Sequence, residues 1–130
     1  MNSQKTIRIL AVDDNLVNQF LIQSIILKLY PKVEIITAQT GEESIEIFQK
    51  SSNFDLILMD LQLPGISGYE ASKKIKKMMK NKLTPIVALS ATKMEDMISK
   101  GKMAGIDDFL SKPILPEATR NILIKYVFDK

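Results

Sequence analysis

Asp13-Asp14, Asp60, Ser90 and Lys112 each close a short apolar run in a chain of 130 residues. Such runs read as buried strands, and side chains at the carboxyl ends of parallel strands converge on one rim of a sheet. That rim would gather three acids, a hydroxyl and an amine, a set suited to a hard cation together with a phosphoryl group. Carboxylates held close repel one another and resist ionisation unless a cation neutralises them. Magnesium fits, because it prefers oxygen ligands and keeps several waters while it contacts a phosphate. A lone Asp-Asp pair is weak, since such pairs often cap helices. The order carries the weight: the pair follows the first strand, an acid the third, a serine the fourth, and Lys-Pro the fifth.

The elements that must position these groups are legible from apolar spacing. Runs at 7–12, 33–36, 56–59, 86–89 and, more weakly, 107–110 are too short for helices, and their nearly continuous apolar character predicts burial on both faces, as in a parallel sheet. Segments 15–29, 41–50, 68–80, 93–104 and 116–128 have helical spacing. The pattern is (βα)5, and right-handed crossovers would place helices on both faces of a five-stranded sheet. Thr92 and Glu95 form a capping box for the fourth helix, Gly105 suits its C-terminal turn, and Pro116 suits a first helical position. Pro31 and Pro85 sit just before strands.

One helix has more than one apolar side. At about 100° per residue, Asn18, Leu21, Ile22, Ile25, Ile26 and Leu29 form a stripe for the sheet. Leu16, Phe20 and Leu27 fall opposite, and three apolar residues aligned along an outer face mark a candidate docking surface.

The length fits a single domain over 1–130, with its core at about 7–128, and folding at this size buries roughly two-thirds of the unfolded chain's surface. Cysteine and histidine are both absent, which removes disulfides, thiolate metal sites and the commonest general base. MNSQKTIRIL holds no apolar stretch long enough for a signal peptide, and no run approaches a membrane span, so a cytoplasmic protein without membrane insertion is expected. The net charge is +3. It rests largely on Lys73, Lys74, Lys76, Lys77, Lys80 and Lys82, read as a solvated helix face.

VDDN, LMDLQLPGISG, the serine after the fourth strand and the Lys-Pro after the fifth together resemble the receiver domain of two-component response regulators and hybrid sensor kinases. The likeness runs from Ile7 to about Phe128, and DDNLVN with MDLQLPGISGYEA looks more like receivers attached to hybrid histidine kinases than like DNA-binding regulators. It implies a chemotaxis-regulator-like, flavodoxin-like α/β fold, doubly wound, with strand order 2-1-3-4-5.

The resemblance also implies roles. Asp60 would be the phosphoacceptor, attacking a phosphohistidine on a partner. Asp14 and Asp60 would ligate Mg²⁺, or Mn²⁺ as the alternative ion, with the backbone carbonyl of Gln62 as a third ligand and Asp13 acting through water. Lys112 would pair with Asp60 before reaction and with a phosphoryl oxygen after it, and its peptide to Pro113 is often cis in the family. Ser90 would donate its hydroxyl to the phosphoryl group. Phe109 occupies the aromatic switch position, turning inward when Ser90 moves and altering the surface of the fourth helix, fifth strand and fifth helix. Pro64, Gly65 and Gly68 match the loop after the acceptor.

Where the family commonly has Thr, this chain has Ser90, and ISG replaces an acidic residue before the glycine; neither change removes the chemistry. Gln62 stands where the family tunes acyl-phosphate hydrolysis. The implied partners are a histidine kinase or histidine phosphotransfer protein, with a phosphorylation-dependent homodimer left open and no direct DNA binding. Such a domain promotes its own phosphorylation and dephosphorylation without being a conventional turnover enzyme. A flavodoxin-type redox protein needs a glycine- and hydroxyl-rich first loop, where this chain carries the negative DDNLVN. A haloacid-dehalogenase-type phosphatase places its DxD after the first strand and carries a cap. The remaining alternative is a degenerate receiver that binds proteins without phosphorylation.

Overall fold

A computed structural model describes residues 6–80, 82–91 and 102–128. Five parallel strands, β1 (Arg8–Val12), β2 (Glu34–Ala38), β3 (Leu56–Asp60), β4 (Ile86–Ser90) and β5 (Asp108–Ser111), form one sheet in the order β2-β1-β3-β4-β5. Helices α1 (Leu16–Leu29), α2 (Gly41–Lys50) and α3 (Gly68–Met78) follow the first three strands, and a C-terminal helix (Pro116–Leu123) follows β5 and continues as a π-helical turn over Ile124–Phe128. This is the flavodoxin-like arrangement expected above. The predicted fourth helix, with its Thr92–Glu95 box, lies outside the described residues except for 102–104, which are helical and end at Gly105 with φ +83°.

Alternation along each strand sorts the core into two layers. Ile9, Ala11, Leu56, Leu58, Val87 and Leu89 face one side and pack on Ile22, Ile25 and Ile26 of α1 and on Ile122 and Leu123 of the C-terminal helix. Leu10, Val12, Ile57, Met59, Ile86 and Ala88 face the other, against Phe48 of α2 and Ala71 and Ile75 of α3. Handedness accounts for the division. The chain steps outward from β1 to β2 and then back across to β3, so keeping both crossovers right-handed puts α1 and α2 on opposite faces.

Burial on both faces holds for β1, β3 and β4 but not for the outer strands. Every residue of β3 and β4 is buried, whereas β2 has only Ala38 buried and β5 only Leu110. β2 and β5 are the sheet edges, each covered by one neighbour, which is why the 107–110 run is weak in the sequence.

Local chemistry fixes the helix starts. Asn15, Thr40 and Ser67 cap α1, α2 and α3 by accepting the N–H of Asn18, Glu43 and Glu70. The last two are S/T-x-x-E boxes that the sequence displays openly; in the first of them the Glu43 carboxylate also takes the N–H of Gln39 at 2.8 Å.

The lysine cluster is not uniformly a solvated face. Lys76 Nζ binds Asp107 Oδ2 at 3.0 Å and the Thr84 carbonyl at 3.2 Å, and Lys82 Nζ pairs with buried Asp55 at 3.1 Å. Both lysines tie helix or loop to the amino ends of the strands. At β5, burial tends to raise the Asp108 carboxyl, but the Phe109 N–H, Tyr126 hydroxyl and Lys125 ammonium outweigh it and hold it below the usual range. That carboxylate fastens β5 to the π-helical turn, with Tyr126 Oη donating to it at 2.9 Å.

The layered core predicts a sharp contrast between two apolar truncations. Ile57→Ala should cost about 2–5 kcal/mol in urea unfolding, because its site is closed on every side. Phe20→Ala, on the open face of α1, should stay within about 0.5 kcal/mol of the parent.

Candidate functional site

Strand register brings the distant polar groups together. Val12 lies beside Met59, Asp60 beside Leu89, and Ser90 beside Ser111, so Asp13, Asp60, Ser90 and Lys112 leave the sheet at one level. The ladder continues past the strand ends, with the Asp13 N–H donating to the Ala38 carbonyl at 3.0 Å and the Lys112 N–H to the Ser90 carbonyl at 2.8 Å. The rim is also the topological switch point, where connections from β1 and β3 depart to opposite sides and leave a crevice.

Within that crevice Asp13, Asp14 and Asp60 each present a carboxylate oxygen, all within 4.8 Å of one another. Asp13 and Asp60 are buried and Asp14 is exposed. Lys112 Nζ lies 2.9 Å from Asp60 Oδ2 and 3.2 Å from Asp13 Oδ2. The remaining oxygens are partly committed: Asp13 Oδ1 accepts the Asn15 N–H at 2.9 Å, and Asp60 Oδ1 accepts the Gln62 N–H at 3.0 Å. Among the described residues Asp13 Oδ2 is buried with no well-formed hydrogen bond, and Lys112 faces it as a charge 3.2 Å away.

One cation among three acids has an asymmetric effect. Burial pushes the Asp60 carboxyl above its ordinary range; Lys112 and the Gln62 N–H pull it back incompletely, and the Asp13 charge pushes it further up. Burial alone would lower the Lys112 ammonium, but Asp60 and Asp13 together hold it above its ordinary value. Each acid has a share of one cation plus a like-charged neighbour, whereas the lysine has two acids to itself. Among the described residues Lys112 is the one cation against these acids, so there the site carries uncompensated negative charge on hard oxygen donors, with Asp14 open to solvent. This donor set fits a Mg²⁺ ion that retains water.

The loop after Asp60 is held close beneath it. A Cβ on Gly68 would fall 2.1 Å from the Asp60 carbonyl, so no other residue lets α3 start there, and Gly65 takes φ +77° at the loop tip. Gln62 is exposed beside the acids. Ser90 is buried at the end of β4. The Lys112-Pro113 peptide is cis. Phe109 stands apart from the acids, half-buried against the α2–α3 layer.

On α1, Leu16, Phe20 and Leu27 are 68%, 73% and 42% exposed, and Val17, which the stripe reading passed over, is 74% exposed. The inner face also differs from expectation. Gln19 is buried, whereas Asn18, assigned to the sheet stripe, is only half-buried. A polar residue beside apolar neighbours gives no hydropathy signal for burial; its partners are backbone carbonyls, which no side-chain pattern shows.

A family model described as the response regulator receiver domain matches residues 9–124. The chain belongs to this family. A curated relative, the signal transduction histidine-protein kinase BarA of Escherichia coli K12, is 35% identical over 124 residues, covering 95% of this chain but only 13% of the relative. This receiver domain is also similar, at 28% identity and a TM-score of 0.84, to the receiver domain of sensor histidine kinase PA1611 from Pseudomonas aeruginosa PAO1, solved with a magnesium ion coordinated in the active site cleft; 95% of this chain and 99% of that one are covered. A further likeness, at 32% identity and a TM-score of 0.80, covers 93% of this chain and 88% of the other. That structure is a co-crystal of the Saccharomyces cerevisiae histidine phosphotransfer protein Ypd1 and the receiver domain of its downstream response regulator Ssk1. As a receiver domain the chain is a module of two-component phosphorelay signalling, and no helix among its described residues is long and apolar enough to cross a membrane.

The charge imbalance predicts a pH-dependent effect in metal-free buffer. The Asp60 carboxyl is raised in the folded state, so its ionisation opposes folding above that value and has no effect where both states are protonated. Asp60→Asn should therefore be more stable than the parent at pH 7, and the gain should vanish as pH falls below about 3.9, the unfolded aspartate value. Chemical unfolding of both proteins across that range measures it.

Proposed function

We propose that this domain accepts a phosphoryl group on Asp60 from a partner phosphohistidine in a Mg²⁺-dependent reaction. The observation that carries the proposal is the convergence of Asp13, Asp14 and Asp60 within 4.8 Å, with Lys112 Nζ 2.9 Å from Asp60. In the transfer, an Asp60 carboxylate oxygen forms a bond to phosphorus as the phosphorus–nitrogen bond to the imidazole breaks. The bonding pair returns to the imidazole nitrogen, and Asp60 becomes an acyl phosphate.

Asp14, Asp60 and the Gln62 carbonyl would hold the ion, with Asp13 acting through water; bound there, Mg²⁺ neutralises charge on the acceptor and phosphoryl oxygens. Lys112 exchanges its contact with Asp60 Oδ2 for one with a phosphoryl oxygen, since the oxygen it now holds is the one consumed or displaced. Its raised affinity for the proton keeps it cationic throughout. Ser90, at the end of the neighbouring strand, donates its hydroxyl to the product. Phe109 responds through the space that Ser90 vacates, and the surface around β5 reports the change. The exposed Gln62 amide governs access of water to the acyl phosphate.

Leu16, Phe20 and Leu27, joined by Val17, form the docking surface for a histidine kinase or histidine phosphotransfer protein. Their helix starts two residues after Asp14, so a partner seated there would lie close to the acids. The location is cytoplasmic, where both partner classes have access to ATP-derived phosphoryl groups. The domain turns over no separate substrate and so acts as a switch in a relay.

Incubation with Mg²⁺ and acetyl phosphate should add the mass of one phosphoryl group. Asp60→Asn should abolish that gain, and chelation of the metal should suppress it. An unchanged gain in Asp60→Asn would show that the acceptor lies elsewhere, and no gain in the parent would leave a receiver that acts by binding alone.

The docking role has a separate signature. Leu16→Ser with Phe20→Ser should slow transfer from a phosphorylated histidine phosphotransfer domain by about tenfold or more, as loss of central interface anchors does. Labelling by acetyl phosphate should stay at the parent rate. Equal losses in both assays would count against docking at this face.

A further inference from the structure

Gln19 lies on the inner face of α1, 4% exposed, and its amide nitrogen is within hydrogen-bond distance of three main-chain carbonyls: Ala11 at 3.1 Å, Asp13 at 3.1 Å and Ala38 at 3.0 Å. A carboxamide has two N–H donors, so three acceptors share them. The cage also fixes the orientation of the group, because turning the amide over would set its oxygen against three carbonyl oxygens. In the orientation observed, Oε1 is buried with no hydrogen-bond partner among the described residues. The buried amide oxygen costs free energy that the carbonyl contacts offset, and an apolar side chain here would leave the Asp13 carbonyl without its donor. Beyond what they add to stability, these contacts have a use in what they hold in place.

That use is visible at Asp13. Its N–H donates to the Ala38 carbonyl, its carbonyl receives Gln19 Nε2, and its Oδ1 receives the Asn15 N–H. Every polar atom of the residue is tied except Oδ2, which faces the pocket with Lys112 3.2 Å away. Asp13 stands after the end of β1, where the β1–β2 register ends at Val12 and Ala38, and Gln19 supplies a donor to its carbonyl. The same amide grips Ala11 and Ala38, binding the ends of β1 and β2 to α1 at the point where the chain turns into Asp14.

We propose that Gln19 is a positioning residue for the acidic pair: it fixes the main chain of Asp13 so that the Asp13 and Asp14 carboxylates are presented to Mg²⁺ without a reorganisation cost. The inference rests on the metal-binding reading above, and it concerns a residue that touches neither the ion nor the phosphoryl group.

Gln19→Met preserves length and apolar volume while removing the donors. Calorimetric titration of this variant with MgCl₂ should give a Kd raised at least about tenfold, the lower end of what loss of an outer-shell partner costs. Its thermal midpoint without metal should fall by about a few degrees, because the buried Asp13 carbonyl loses its donor even as the orphaned amide oxygen is removed. Saturating Mg²⁺ should restore labelling by acetyl phosphate. A Kd within twofold of the parent would overturn the proposal, as would a lowered midpoint with unchanged affinity, which is what a purely structural residue produces.

The unmodified protein offers a second test that does not depend on the variant folding. The Gln19 side-chain amide protons in ¹⁵N-resolved spectra should be slow to exchange and should shift with the same Mg²⁺ dependence as the backbone amides of Asp13 and Asp14. Rapidly exchanging protons that ignore the metal would overturn the assignment. Absence of any Mg²⁺ binding by the parent protein would instead sink the metal-binding reading itself.

Discussion

The structure is organised around a repulsion. Two buried carboxylates and one exposed carboxylate occupy the end of a sheet, with a single lysine as their described counter-charge. Left alone, such acids would move apart or take up protons. Moving apart is closed to two of them because each is set by main chain: Asp60 is the last residue of β3, Asp13 follows β1 through a continued ladder bond, and both strands are buried on both faces. The apolar layers are thus what hold the charge in place. A looser core would allow the rim to relax, and the affinity of the pocket for a cation would fall with it.

The division of labour between lysine and metal follows from the same imbalance. Lys112 lessens the repulsion enough for the acids to coexist, yet its one charge cannot satisfy three. A site fully neutralised by protein cations would have no reason to take up an ion, and a site with none would unfold or protonate. The intermediate state suits the phosphoryl transfer proposed above, since charge could be added and removed without rebuilding the surroundings.

Much of this was legible before any coordinates. Short apolar runs gave all five strands to within about two residues, because a buried parallel strand leaves nothing but apolar positions to read. The order Asp-Asp, Asp, Ser, Lys-Pro identified the rim, since only strand ends can bring residues so far apart in sequence to one place. The edges were less legible: β2 and β5 are half-open, and their polar residues blur the signal. Gln19 was missed because its partners are carbonyls, which every residue possesses and no side-chain pattern announces. Lys76 and Lys82 were read as solvent-facing because charge runs along the sequence conceal which members turn inward to an acid on another element.

Helix α1 shows how the two kinds of information are stored in one element. Residues 19 and 20 are adjacent, yet one is buried against the carbonyls beneath the acids and the other stands in solvent. Along this helix the inner positions are bound to the core and, at Gln19, to the main chain of Asp13, while the outer Leu16, Val17 and Phe20 stand largely in solvent. On the docking proposal above, duplicated copies of such a domain would drift apart in the outer residues alone and acquire separate partners, each inheriting an undamaged pocket. Insulation between parallel signalling routes would then require only a handful of surface substitutions, set at a constant distance from the acids.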